Sequence, residues 1–264
     1  MKSNKILLGN KVIESPRQAF VMGIVNATPD SFYENSRGGL DLALQLIDEG
    51  ADILDIGGES TRPGFTEVSE EEEIKRIVPL VQQIRKINDK IPISIDTRKK
   101  SVIEAAYSEG ADVLNDVSAL EFDSQMAKFV SSTDLSVILM FSKAGGLREA
   151  KKYFKERVLF AQKHGILKEK IILDPGIGFE KSFEQNCELI KKCGELSIKN
   201  IPVLMALSNK RCVGAMINEN QDANKRGIGT VVSDVFAVEA GAKIIRVHDV
   251  KSAIDSLNVM KFLK

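Results

Sequence analysis

Short apolar runs alternate with longer amphipathic stretches over most of the chain. Each apolar run ends in polar or glycine residues, and eight of them predict buried strands at 20–26, 53–58, 93–96, 113–116, 137–141, 171–174, 203–207 and 244–248. Between them, apolar residues recur at helical spacing and predict helices at 40–49, 69–87, 101–109, 124–131, 148–164, 183–196, 229–240 and 252–262. Ser69 followed by Glu72 is typical of a helix N-terminus. Glycines stand where four of the helices should end, at Gly50, Gly110, Gly165 and Gly241.

The alternation of strands and helices predicts parallel strands joined by right-handed crossovers. Eight such units in 264 residues favour an α/β fold of the TIM (β/α)8 barrel type over the alternative, a doubly wound open sheet. Two further short runs, at 6–8 and 11–13, predict a β-hairpin that precedes the barrel and closes its bottom. No linker or change in composition marks a second domain, so we expect one domain over residues 1–264.

Charge and composition narrow the class of protein. Lys+Arg and Asp+Glu both number 37, so the formal net charge is zero, which argues against general binding to nucleic acids or membrane surfaces. The chain has no apolar run long enough to span a membrane and no signal-peptide pattern after Met1. Its three cysteines lack metal-binding spacing. We therefore expect a cytoplasmic protein with free thiols and no nucleic-acid or membrane partner.

Polar side chains gather where the predicted strands end, which in a TIM barrel is where the chemistry lies. They are Asn26, Glu59, Asp96, Asn115, Asp174, Ser208, Lys210, Arg211, Arg246 and His248. Any one of them could be a helix cap or a turn residue. Because most of the strands end in this way, the whole set indicates a binding site at one mouth of the barrel.

Asp174 follows the apolar pair Ile171 and Ile172 and begins the stretch Asp-Pro-Gly-Ile-Gly-Phe-Glu-Lys. A buried carboxylate costs several kcal/mol unless it is paired. Asp174 therefore needs either an internal partner or a ligand. Asn115 and Asp116 are adjacent, so alternation points them in opposite directions, and the sequence does not decide which of the two faces the barrel interior.

The candidate site has two electrical halves. Asp96, Asn115 and Asp174 form a half rich in hydrogen-bond acceptors, which suits a ligand with several ring N–H donors, such as a 2-amino-4-oxo pteridine. The other half is cationic and lies at the last two strands, where TIM barrels frequently bind phosphate. It comprises Lys210, Arg211, Arg246 and His248, with Arg62 and Lys181 as possible additions.

Two loop sequences resemble the signatures of dihydropteroate synthases. Residues 22–32 read Met-Gly-Ile-Val-Asn-Ala-Thr-Pro-Asp-Ser-Phe, and residues 55–64 read Asp-Ile-Gly-Gly-Glu-Ser-Thr-Arg-Pro-Gly. Shorter matches follow in the family's order at 94–97, 115–117, 174–179 and 246–250. The resemblance implies a TIM barrel that condenses 6-hydroxymethyl-7,8-dihydropterin diphosphate with 4-aminobenzoate, giving 7,8-dihydropteroate and diphosphate. It also implies a homodimer formed through the last two helices.

The resemblance also implies a role for each matching residue. The pterin is expected on Asp96, Asn115, Asp174 and Lys210, of which Asp96, Asp174 and Lys210 are the catalytic residues. Diphosphate is expected on Asn26, Arg62, Arg246 and His248, with Asn26 also binding Mg²⁺. The expected 4-aminobenzoate residues are Phe32, Thr61, Pro63, Phe179 and Arg211.

Three positions depart from the family pattern. The fifth strand of the barrel ends in Met-Phe-Ser, where Met-His-Met is usual, and a short loop follows. Asn209 stands where an arginine usually precedes the lysine that matches Lys210, and Glu180 replaces a usual glycine. These changes leave two alternatives to an active synthase. One is a diverged paralogue with weak or altered amine specificity, and the other is a non-catalytic pterin-binding protein.

Overall fold

The computed structural model describes residues 4–27, 39–59 and 68–263. Its strands are β1 (Asn4–Leu8), β2 (Lys11–Ser15), β3 (Phe20–Asn26), β4 (Ile53–Gly57), β5 (Ile93–Asp96), β6 (Val113–Asp116), β7 (Ser136–Met140), β8 (Ile171–Asp174), β9 (Leu204–Met205) and β10 (Ile244–Val247). The α-helices are α1 (Gly39–Asp48), α2 (Glu70–Ile87), α3 (Lys100–Ser108), α4 (Met126–Ser131), α5 (Leu147–Lys163), α6 (Phe183–Lys191), α7 (Arg211–Met216), α8 (Gly227–Glu239) and α9 (Val250–Leu263). Among the described helices, none is long and apolar enough to cross a membrane.

The strands β3 to β10 form one parallel sheet with the order β8-β7-β6-β5-β4-β3-β10-β9. Its two ends meet, because Leu173 of β8 forms a parallel bridge with Val203 and its amide donates to the Pro202 carbonyl at 3.0 Å. The sheet therefore closes on itself. This confirms the predicted TIM barrel and excludes the open-sheet alternative.

The hairpin of β1 and β2 closes the bottom of the barrel, as predicted. Ile6 and Leu8 pack into an apolar cluster with interior residues of the barrel strands, which include Phe20, Ile53, Val113, Ile138, Ile172, Leu204 and Ile244. At its turn, the Gly9 amide donates to Ser136 Oγ at 3.0 Å, and Lys11 Nζ pairs with Asp112 at 3.0 Å. Ser136 and Asp112 lie at the N-terminal ends of strands, so the hairpin covers the end of the barrel opposite the predicted site.

The helix boundaries follow from local signals in the sequence. Ser69 Oγ accepts from the Glu72 amide at 3.2 Å, which caps α2. The four glycines at predicted helix ends have φ values of +98°, +102°, +94° and +115°. Side chains other than glycine rarely adopt this left-handed conformation, so these glycines end their helices as predicted.

Besides the strand predicted at 203–207, which is only Leu204–Met205, two parts of the secondary-structure prediction were wrong. The predicted helix at 183–196 ends at Lys191 and continues as a 3₁₀ turn, Cys193–Leu196. In that turn Gly194 approaches the end of α8 so closely that a Cβ would lie 2.3 Å from the Ala240 carbonyl oxygen. The other error is α7, which was not predicted because six residues are too few to show a helical apolar period.

Candidate active site

A cavity opens at the C-terminal ends of the barrel strands and brings together five of the predicted polar residues. It is lined by Asp96, Asn115, Val117, Met140, Asp174, Gly176, Ile177, Phe179, Ala206, Lys210 and Arg246. The apolar members form walls around a polar group that comes from five different strand ends. This is the arrangement expected of a small-molecule site at the top of a TIM barrel.

The acceptor-rich half of the site is buried. Asp96, Asn115 and Asp174 are the last or next-to-last residues of β5, β6 and β8, and their exposed fractions are 6%, 5% and 4%. Asp174 Oδ1 accepts from the Gly176 amide at 2.7 Å, which fixes the carboxylate on its own loop. The predicted convergence of these three side chains is confirmed.

The structure decides between Asn115 and Asp116. Asn115 Nδ2 donates to Asp55 Oδ2 at 3.1 Å inside the barrel, and Asn115 lines the cavity. Asp116 points the other way and holds the following turn, since it accepts from the amides of Ser118 and Leu120 at 2.7 Å each. Asn115 is therefore the member of the pair that serves the site.

Arg246 lies between two buried carboxylates rather than in a separate cationic group. Its Nε donates to Asp55 Oδ2 at 2.6 Å and its Nη2 donates to Asp96 Oδ2 at 2.9 Å. Asp55, which is completely buried on β4, was not among the predicted site residues. The signal was present, because a carboxylate inside the apolar run Ile-Leu-Asp-Ile requires a partner.

Burial sets the protonation behaviour of the cavity. It raises the pKa of Asp96 to about 7, although the positive charge of Arg246 opposes the shift. Burial also raises the pKa of Asp174, against the hydrogen bond from Gly176 and the charge of Lys210. The pKa of Lys210 is lowered by burial and raised in part by Asp174. Asp96 Oδ1 has no hydrogen-bond partner among the described residues, so it is a buried acceptor available to a ligand.

Lys210 and Phe179 complete the described cavity. Lys210 Nζ lies 4.6 Å from the centroid of the Phe179 ring. Gly178, with φ of +85°, permits this approach, because a Cβ there would lie 3.3 Å from Lys210 Cδ. The lysine ammonium is thereby held over an aromatic face, where it is attracted by the ring quadrupole.

The remaining predicted residues do not line the cavity or fall outside the described part of the chain. His248 Nδ1 lies 2.8 Å from Ser208 Oγ, which joins the ends of the last two strand units. Asn26 is exposed at the end of β3, and Arg211 is exposed at the start of α7. Phe32, Thr61, Arg62 and Pro63 fall within residues 28–38 and 60–67, outside the residues that the structure describes.

Two of the departures from the family pattern occupy left-handed backbone positions. Asn209 has φ of +57° and Glu180 has φ of +45°. The Asn209 carbonyl accepts from Arg226 Nη1 at 2.9 Å, and its amide donates to Thr230 Oγ1 at 3.1 Å. The backbone next to Lys210 is therefore held by Thr230 of α8 and by Arg226, which precedes α8. Both contacts are to the backbone of Asn209 and do not involve its side chain.

The described residues suit a magnesium ion only as a companion of a phosphate ligand. Across residues 4–27, 39–59 and 68–263, no group of three or more His, Cys, Asp or Glu side chains is placed to hold a metal. Asn26 offers one amide oxygen at the mouth. Mg²⁺ commonly keeps several waters and binds through one or two protein oxygens together with substrate phosphates. One hard oxygen ligand at this position is compatible with such a site.

Comparison with known proteins places this cavity in a family. Residues 22–248 match the model of the family described as pterin binding enzyme. The dihydropteroate synthase of Streptococcus pyogenes serotype M3 is 40% identical over 266 residues, covering 97% of this chain and 99% of that protein. That of Bacillus subtilis is 38% identical over 244 residues, covering 89% and 85%.

Solved structures agree with the sequence comparison. The Xanthomonas albilineans dihydropteroate synthase with 4-aminobenzoic acid superposes with a TM-score of 0.90 at 35% identity, covering 99% of this chain and 98% of that one. The same organism's enzyme in complex with 7,8-dihydropteroate gives a TM-score of 0.88 at 32% identity, covering 98% of each chain. Fold, cavity and sequence together show that the chain belongs to the dihydropteroate synthase family of pterin-binding enzymes.

Proposed function

We propose that the cavity holds the pterin ring of 6-hydroxymethyl-7,8-dihydropterin diphosphate and presents its methylene carbon to 4-aminobenzoate. The chain is a transferase of folate biosynthesis, and the products are 7,8-dihydropteroate and diphosphate. The observation that carries the proposal is the convergence of Asp96, Asn115, Asp174 and Lys210 in one cavity, supported by Arg246. A pterin presents several N–H donors on one edge and a carbonyl oxygen on the other, which matches acceptors on one side and an ammonium on the other.

The preorganised charges suit the proposed reaction. The aniline nitrogen forms a C–N bond to the methylene carbon, the C–O bond to diphosphate breaks, and the nitrogen loses a proton. Positive charge that develops on the ring system is stabilised by Asp174, whose carboxylate is already oriented by the Gly176 amide at 2.7 Å. The amine is itself nucleophilic, so the reaction needs no covalent protein nucleophile.

We expect the leaving diphosphate nearer the mouth of the cavity than the pterin ring. We assign it to Asn26, Arg62, Arg246 and His248, and we assign 4-aminobenzoate to Phe32, Thr61, Pro63, Phe179 and Arg211. When bound beside Asn26, Mg²⁺ would offset the negative charge that accumulates on the leaving group. Arg246 is held by Asp55 and Asp96. Because these carboxylates raise its pKa even though burial lowers it, the guanidinium remains charged.

A turnover assay tests the activity directly. Purified protein with Mg²⁺ and both substrates is expected to release diphosphate and form 7,8-dihydropteroate, and neither product should appear when 4-aminobenzoate is omitted. Calorimetry with a pterin ligand runs in parallel. Pterin binding without turnover would contradict the proposed activity and support a non-catalytic pterin-binding protein. Turnover with another arylamine but not with 4-aminobenzoate would support the diverged paralogue.

Pterin affinity is expected to increase with pH through about 7, because burial raises the pKa of Asp96 to about 7 and protonation turns one of its two acceptor oxygens into an O–H donor that opposes the ring N–H groups. At pH 6 the affinity should be about tenfold below its value at pH 8. Calorimetry in two buffers with different ionisation enthalpies should also show proton release on binding. The control is Asp96→Asn, which binds more weakly and should lose this dependence. The same dependence in Asp96→Asn would contradict the assignment.

We propose that the protein is a homodimer formed through α8 and α9. Three apolar residues lie on one face of α8 at a spacing of four, namely Ile228, Val232 and Phe236. Ile228 is 82% exposed and Phe236 is 65% exposed, and α9 adds Phe262 at 84%. An exposed apolar surface of this kind on two neighbouring helices marks an interaction site.

Phe236→Glu is expected to raise the dissociation constant of the dimer by about tenfold or more, since aromatic residues carry much of the binding energy at interfaces. Leu159→Glu is the matched control, because Leu159 is 54% exposed on α5, away from the proposed interface. Sedimentation velocity over a concentration series measures both variants. A monomeric wild type, or equal weakening by both substitutions, would overturn the proposed interface.

A further inference from the structure

The Lys181 ammonium donates to three backbone carbonyls. Its Nζ lies 2.8 Å from the Phe141 oxygen, 3.0 Å from the Lys143 oxygen and 3.1 Å from the Phe179 oxygen. An ammonium has three N–H donors, so these carbonyls account for all of them. Nζ also lies 4.5 Å from the centroid of the Phe141 ring, over its face. This arrangement fixes the lysine head group among main-chain atoms.

The three carbonyls belong to two different loops. Phe141 and Lys143 follow β7, whereas Phe179 follows β8. The same loops also touch through Gly176, where a Cβ would lie 2.3 Å from the Phe141 oxygen. Phe141 additionally donates its amide to the Asp174 carbonyl at 2.8 Å. Lys181 therefore completes a backbone contact that glycine makes possible.

The end of β7 and the loop after β8 form this wall of the cavity. Met140, Gly176, Ile177 and Phe179 line it on this side. The Phe179 amide donates to the Gly176 carbonyl at 3.1 Å, and its own carbonyl accepts from Lys181. Both sides of the Phe179 backbone are thus fixed, which determines where its ring lies beneath the Lys210 ammonium.

We propose that Lys181 is a positioning residue that joins the loops after β7 and β8 and so places Phe179 for the amine substrate. The inference rests on the proposed function and extends it to a residue whose head group contacts backbone. The loop after β7 is also where the sequence departs from the family pattern, with Phe141 in place of the usual histidine. The Phe141 ring packs under the ammonium, and the centroid of the Tyr153 ring lies 5.2 Å from that of Phe141. We call the Lys181 ammonium and the three carbonyls that it joins the clamp, and the Phe141 ring contributes to it.

Loss of charge on Lys181 should weaken the clamp. Burial lowers the pKa of Lys181 to about 8, while Asp174 and Glu180 raise it and Lys210 lowers it further. Lys143 contacts Lys181 only through its backbone carbonyl, and its own ammonium pairs with Glu121 at 2.9 Å. Above pH 8 a neutral amine has two donors for three carbonyls, and the charge-assisted part of each bond is lost.

The decisive experiment compares Lys181→Met, Lys181→Arg and the control Lys192→Met, an exposed lysine paired with Glu188 at 3.3 Å on the next helix. Lys181→Met is expected to raise the KM for 4-aminobenzoate about tenfold, with kcat and pterin affinity changed less than about threefold. Lys181→Arg, which keeps the charge, should restore most of the loss. In the wild type the KM should increase above pH 8, and in Lys181→Arg it should not.

Hydrogen exchange measures the clamp without relying on turnover. Amides of residues 142–144 and 179–182 should exchange faster in Lys181→Met than in the wild type, and Lys192→Met should match the wild type. If exchange is faster in Lys181→Met but even the wild type shows no turnover, the result would support the clamp and contradict the proposed function. Unchanged exchange and KM in Lys181→Met, or an equal fall of kcat and pterin affinity, would overturn the positioning role. If Lys181→Met does not fold, the pH dependence of Lys181→Arg decides.

Discussion

Replacing Lys99 with methionine is expected to lower the free energy of unfolding by about 3–5 kcal/mol. Lys99 Nζ donates to Glu59 Oε2 at 2.7 Å, to Glu73 Oε2 at 2.9 Å and to the Val68 carbonyl at 2.6 Å. The side chains of Lys99, Glu59 and Glu73 are only 5%, 7% and 1% exposed. Methionine fills a similar volume but leaves two buried carboxylates without their main counter-charge.

Urea denaturation measures this loss, and the neighbouring lysine supplies the control. Lys100 forms a surface pair with Glu104 one helical turn away, so Lys100→Met should cost about 0.5 kcal/mol or less. Adding Glu73→Gln to Lys99→Met should recover part of the stability, because one uncompensated charge is removed. A loss below about 1 kcal/mol in Lys99→Met would contradict the buried network as a source of stability.

Asp174→Asn is expected to weaken pterin binding by about 10- to 100-fold while the protein still folds. The asparagine oxygen can still accept from the Gly176 amide, as Asp174 Oδ1 does at 2.7 Å. Its NH₂ group then replaces the second carboxylate oxygen and meets the N–H donors of the ring. A donor facing a donor loses the hydrogen bond and leaves both groups unsatisfied.

Calorimetry with a pterin ligand measures the affinity of this variant. Asp123→Asn is the control, because Asp123 accepts from the Gln125 amide at 2.9 Å in a turn outside the cavity. The pterin affinity of this control variant should equal that of the wild type. Circular dichroism confirms that both variants fold. Wild-type affinity in Asp174→Asn would remove Asp174 from the pterin site.

The strand ends could be predicted from sequence, because each apolar run ends in polar or glycine residues. Four of the eight predicted barrel strands have the bounds found in the structure, at 20–26, 93–96, 113–116 and 171–174. In the barrel, parallel strands present their C-terminal ends at one mouth. Asp96, Asn115 and Asp174 therefore converge as the sequence indicated.

The pairings between strand ends could not be predicted in the same way. Asp55 and Arg246 are 191 positions apart, and the sequence around either residue does not indicate that the other is its partner. The cationic residues were grouped by sign, whereas the structure places Arg246 against carboxylates because a buried guanidinium needs them. Lys99 was missed for the same reason, since its partners lie 40 and 26 positions away.

The hairpin of β1 and β2 closes the N-terminal end of the barrel. Ile6 and Leu8 fill the interior at the N-terminal end, so a ligand beside Asp96 and Asn115 cannot leave through that end. Whatever binds nearer the mouth covers the ligand that entered first. If the two substrates bind as proposed, we therefore expect the pterin to bind before the amine and the amine to leave before an unreacted pterin can. The joined product, which would span both positions, is then expected to withdraw amine end first along the path by which its two halves entered.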